Sequence, residues 1–83
     1  MTTQNNPVKV LDTKGLLCPV PVLKTSAAIK EIQVGELLEV LATDPGSRPD
    51  LAAWARITGN ELVSVEELNG TPKVYRFLIR RLK

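Results

Sequence analysis

The stretch Leu37-Leu38-Glu39-Val40-Leu41-Ala42 constrains this chain more than any other. It is apolar at every position but one, and it lies between Gly35 and the turn signal Asp44-Pro45-Gly46. Such a run fits a central strand covered on both faces, or one buried in parallel pairing with a neighbour. Either way it needs strands beside it and helices over it. Val8-Lys9-Val10-Leu11 reads as a first strand. Residues 62–66 and 73–81 read as two more, joined by Asn69-Gly70-Thr71-Pro72, a hairpin signal between apolar runs. In the last strand Tyr75, Phe77 and Ile79 point one way and Val74, Arg76, Leu78 and Arg80 the other.

Two helices fill the gaps. Gly15-Leu16-Leu17-Cys18-Pro19 turns into the first, with Pro19 suited to the first helical position because its missing N–H costs nothing there. Val22, Thr25, Ala28, Ile29 and Ile32 share its apolar face, and Gly35 is expected just past its end. Ser47-Arg48-Pro49-Asp50 resembles a capping box, with Ser47 at the N-cap and Asp50 reaching back. The second helix carries Leu51, Trp54, Ala55 and Thr58 on one stripe and stops at Gly59. The order is βαβαββ. Right-handed crossovers put both helices on one face of a mixed four-stranded sheet, an α+β fold built as a two-layer α/β sandwich.

With 83 residues there is room for one domain over residues 8–83, and residues 1–7 read as a disordered polar lead-in. At 43% hydrophobic and 24% charged, the composition is that of an ordinary globular protein. No apolar run approaches the roughly 20 residues that span a bilayer, and residues 1–7 lack a signal peptide's apolar segment. A cytoplasmic location and no membrane partner are therefore expected. A net charge of +2 argues against direct nucleic-acid binding. Lys73, Arg76, Arg80, Arg81 and Lys83 gather at the C-terminal end. They are expected to be exposed, either as a docking surface for an acidic partner or as a solvated strand face.

Cysteine and histidine counts narrow the chemistry. There is one Cys and no His, so no intrachain disulfide, no zinc ligand set and no Cys-His or Ser-His-Asp arrangement can form within the chain. That one Cys, Cys18, precedes Pro19 at a helix start. There, free N–H groups and the macrodipole are expected to hold its pKa below the ordinary cysteine value. Gly15, Pro19 and Pro21 shape the turn and stiffen the helix start. A lone Cys serves equally as a small buried apolar group, and the local residues leave the two readings level.

Leu11-Asp12 followed by Gly15-Leu16-Leu17-Cys18-Pro19-Val20-Pro21 resembles the signature of the TusA/SirA-like sulfur carriers, a Gly-Leu-x-Cys-Pro-x-Pro run after the first strand. The similarity continues at Gly35-Glu36, Asp44-Pro45-Gly46-Ser47, Asp50, Gly59 and Glu61-Leu62 and covers residues 8–81. The resemblance implies the βαβαββ sandwich and a covalent persulfide sulfur on Cys18, with no other cofactor. It implies a cysteine desulfurase or rhodanese-type protein as sulfur donor and a DsrE-like or other thiol protein as acceptor. Downstream lie tRNA thiolation, molybdenum-cofactor assembly or sulfur oxidation. Members of the tRNA pathway often place an acidic residue between the two prolines and a His after the second helix's glycine. This chain has Val20 and Asn60 there, which leaves the pathway open.

Sulfane transfer suits a chain without a base, because it needs only an accessible thiolate. Lys24, one turn into the first helix, is a candidate to hold the thiolate or meet a partner. Asp44 and Asp50 are candidates to orient one, although a turn and a helix cap account for both. Trp54 at helical spacing reads as packing. Two other functions fit the same residues: a regulatory or binding module acting through protein or RNA contacts, and a single-cysteine redox sensor. The latter lacks a resolving Cys.

Overall fold

The computed structural model describes residues 6–83, so most of the expected lead-in, residues 1–5, lies outside the described residues. The elements follow the order read from the sequence. They are β1 (Lys9–Thr13), α1 (Val20–Ala28) with a 3-10 turn (Ile29–Glu31), β2 (Leu37–Ala42), α2 (Ser47–Thr58), β3 (Glu61–Leu68) and β4 (Val74–Arg80). The sheet runs β1-β2-β4-β3. β1 pairs parallel with β2, from Lys9 opposite Leu38 to Thr13 opposite Ala42. β4 is antiparallel to both β2 and β3, so the β3–β4 hairpin slots its second strand next to the central one. Both helices pack on one face. Among the described residues no helix is long and apolar enough to cross a membrane.

The apolar run is the central strand, but only one of its faces is covered by helices. Leu38, Val40 and Ala42 are fully buried with Phe77 and Ile79 of β4, Ile29 and Ile32 after α1, and Leu51, Trp54 and Ala55 of α2. Burying each such large side chain stabilises the fold by about 1.5–3 kcal/mol. On the open face, polar side chains shield the strands. Arg76 of β4 bridges Glu39 of β2 at 3.1 Å and Glu66 of β3 at 2.5 Å, and Arg80 meets Glu61 at 3.6 Å.

Several local expectations are corrected. Pro19 is the N-cap of α1 rather than its first helical residue, and the buried Pro21 takes the second helical position. Gly35 does not end this helix. The chain is already extended at Ile32, and Gly35 takes φ +94° in the turn that starts β2. The capping box does not form: Ser47 is the first residue of α2, and Gly46 caps it without a side-chain hydrogen bond. Gly59, at φ +79°, does end α2, with Asn60 N–H bonded back to the Ala55 carbonyl.

Candidate functional site

Because β1 and β2 are parallel neighbours, the loops that leave their C-terminal ends lie side by side. Ligands and reactive groups of α/β sheets commonly gather at such edges. The first loop, residues 14–19, carries Cys18; the second, residues 43–46, leads into α2. Three contacts clamp them. Gly15 N–H donates to Thr43 Oγ1 at 2.9 Å, Cys18 N–H donates to Asp44 Oδ2 at 2.8 Å, and Cys18 Sγ lies 3.5 Å from Ser47 Oγ. Gly15 holds φ +84°, a backbone state that a side chain would strain although the space around it is empty. Asp44 also accepts the Gly46 N–H at 3.2 Å, so one carboxylate both forms its own turn and anchors the cysteine backbone.

The half-buried sulfur therefore sits where the starts of α1 and α2 meet, flanked by the exposed Leu17 and Pro19. The Cys18–Pro19 bond is cis. The electrostatics are opposite to those read from the sequence. Burial pushes the Cys18 thiol above its ordinary value and the carboxylates of Asp50 and Asp44 push it the same way, while the Ser47 hydroxyl pulls it down. The helix start supplies little in return. Val20 N–H is already bonded to the Leu17 carbonyl at 3.0 Å, Pro21 has no N–H, and the Cys18 N–H is spent on Asp44. Asp44 in turn is held below the usual carboxylate range by the Cys18 and Gly46 N–H groups.

The other candidates divide. Asp44 and Asp50 join Cys18 at the site, and Pro19 and Pro21 frame it. Lys24 is exposed and opens on a groove with Lys9, Leu11 and Glu31 at the β1 edge; the charges acting on the sulfur are the two aspartates. Arg76, Arg80 and Arg81 are elsewhere and are half-buried, not exposed. Arg80 donates to the Gly35 carbonyl at 2.8 Å and Arg81 to that of Ile32 at 2.5 Å, so with the Arg76 bridge all three tie the framework together. Trp54 packs in the core and donates its Nε1 to Ser26 Oγ at 2.7 Å. Ser47 was missed as a neighbour of the sulfur because its sequence context is that of a helix cap. Among the described residues, no three His, Cys, Asp or Glu side chains come together as a metal would need.

The fold and this edge define a class: a small two-layer α/β protein that presents one thiol beside a Cys-Pro-x-Pro helix start. The profile of the family described as Sulfurtransferase TusA matches residues 9–81, and the chain belongs to that family. The Sulfur carrier protein TusA of Allochromatium vinosum is 42% identical over 71 residues, 86% of this chain and 90% of its own. A provisionally named sulfur carrier protein of Halobacterium salinarum is 45% identical over 84 residues, with both chains fully covered. A further provisionally named sulfur carrier, from Bacillus subtilis, is 53% identical over 57 residues, 69% of this chain, but this match spans only 31% of that longer protein. The crystal structure of a SirA-like protein from Desulfitobacterium hafniense superposes with a TM-score of 0.71 at 26% identity, covering 90% of this chain and 99% of that one. A sulfur-carrier role, with partners that give and take the sulfur, follows from this membership.

Proposed function

We propose that Cys18 accepts the terminal sulfur of a donor's persulfide and passes it to an acceptor thiol. The observation that carries this reading is the placing of the chain's one thiol at the edge where both helices begin, half-exposed and clamped by its own backbone to Asp44. In loading, the Cys18 thiolate attacks the outer sulfur of the donor persulfide. A new Sγ–S bond forms, the donor's S–S bond breaks, and the donor cysteine leaves as a thiolate that takes up the proton Cys18 gave up. Unloading is the same exchange with the acceptor thiolate as nucleophile. The second sulfur lies about 2.05 Å beyond Sγ, which carries the reacting atom outward to the partner. A cysteine desulfurase or rhodanese-type protein is the donor and a DsrE-like or other thiol protein the acceptor. The relay operates in the reducing cytoplasm, where a lone thiol is not lost to disulfides.

The test is the intact mass of the protein after incubation with a desulfurase and cysteine. A gain of one sulfur atom per chain, reversed by reductant and absent in Cys18→Ser, is expected. An unchanged mass with several desulfurases and rhodaneses removes the reading.

A further inference from the structure

Among the described residues, six of the nine acidic side chains sit in ion pairs: Asp12, Glu31, Glu39, Glu61, Glu66 and Glu67. Glu36 accepts the Gln33 N–H. The two that remain, Asp44 and Asp50, are the two that bear on Cys18. The molecule thus pairs its carboxylates with cations everywhere except at the sulfur and at one tight turn. Beside them α1 and α2 enclose a groove of about 350 Å³, lined by Pro19, Val22, Asp50, Ala53, Trp54 and Ile57. Asp50 is its one charged lining residue. The groove is apolar and open, with Ile57 79% exposed, and outside its lining Leu17, just before Cys18, is 73% exposed.

We infer that the sulfur donor seats an apolar side chain in this groove and sets a basic residue against Asp50 and Asp44, next to Cys18. The inference rests on the carrier reading and adds the chemistry of the partner's surface. Two unpaired carboxylates oppose the negative charge that Cys18 must bear to attack. A partner cation against them cancels that opposition, and exclusion of water at the interface strengthens the effect. The same carboxylates make Cys18 a poor leaving group, so a loaded carrier keeps its sulfur from stray thiols until a cation arrives. A partner with an acidic face is disfavoured here.

The experiment compares sulfur loading by protein donors, a purified cysteine desulfurase and a rhodanese, with loading by inorganic polysulfide, which needs no docking. Ile57→Ser is expected to lower the ratio of protein-donor to polysulfide rate about tenfold. Asp50→Lys is expected to slow the protein donors by about tenfold or more while speeding polysulfide, two effects of opposite sign. In wild type, loading by the protein donor falls with added salt, and Asp50→Asn flattens that dependence. Circular dichroism checks that each variant is folded, which the exposure of both positions favours. Protein donors that load all variants alike, or Asp50→Lys speeding both routes, overturn the inference. So does a wild type that polysulfide loads and neither protein donor does. A wild type that no donor loads overturns the carrier reading instead.

Discussion

Replacing Arg76 by Ala is expected to destabilise the fold by about 2 kcal/mol. The side chain is 29% exposed and spans three strands, bonding Glu39 on β2 at 3.1 Å and Glu66 on β3 at 2.5 Å. Glu66 is 53% exposed, and a pair of that kind contributes about 0.2–1 kcal/mol. Glu39 is only 15% exposed; stripping one partner from a fully buried pair costs about 3–5 kcal/mol. A half-buried, partly rehydrated Glu39 falls between these limits, which puts the sum near 2 kcal/mol. For a domain of this size each kcal/mol moves the melting temperature by about 4–8 °C, so a drop of about 8–16 °C is expected in a thermal melt followed by circular dichroism. Arg48→Ala is the control, since Arg48 and its partner Glu67 are both exposed, at 53% and 39%. Adding Glu39→Gln to Arg76→Ala removes the stranded charge and recovers part of the loss. A drop no larger than that of Arg48→Ala refutes the argument that Arg76 belongs to the framework.

Alkylation of Cys18 by iodoacetamide, followed against pH, is expected to show an inflection above the ordinary cysteine value, lower in Asp50→Asn and higher in Ser47→Ala. A wild-type inflection below that value contradicts the acidic surroundings. For Asp44 the folded-state pKa is lowered, so its contribution is present above the unfolded carboxylate value of about 3.9 and is lost as pH falls through the folded value. The gap in urea midpoint between wild type and Asp44→Asn therefore narrows as pH drops below about 4; a gap that does not change with pH rules out the carboxylate's role.

The fold was legible because its signals are periodic and local. The run from Leu37 marks the centre of the sheet, the stripes at Val22, Thr25, Ala28 and Leu51, Trp54, Ala55 mark the two buried helix faces, and Gly59 marks the end of α2. Alternation also assigned β4 correctly to two faces. It could not say what stands across the sheet, so Arg76 and Arg80 read as exposed when Glu39, Glu66 and Glu61 from neighbouring strands hold them. The face of a strand residue is written in its own chain segment. Its neighbours belong to segments that pair only in the folded sheet.

The site was half legible for the same reason. Cys18, Gly15 and the prolines stand together in sequence, and the reactive thiol could be read there. What acts on that thiol comes from 26 and 29 residues away, through Asp44 and Ser47. Read locally, Ser47 and Asp50 make a cap, Asp44 makes a turn, and Cys18 faces a helix start with donors to spare. In the fold fewer of those donors are left: Pro21 has none, Val20 bonds the Leu17 carbonyl and the Cys18 N–H bonds Asp44. Helix-start stabilisation of about 0.3–1 kcal/mol works through N–H groups aimed at the charge. With most of those groups absent or engaged, burial and two carboxylates decide the sign. The sequence order of charges around a reactive residue thus predicts its reactivity only when the strands on either side do not bring in others. Here the parallel pairing of β1 with β2 brings in Asp44 and the start of α2, and with them the acidity that a partner must offset.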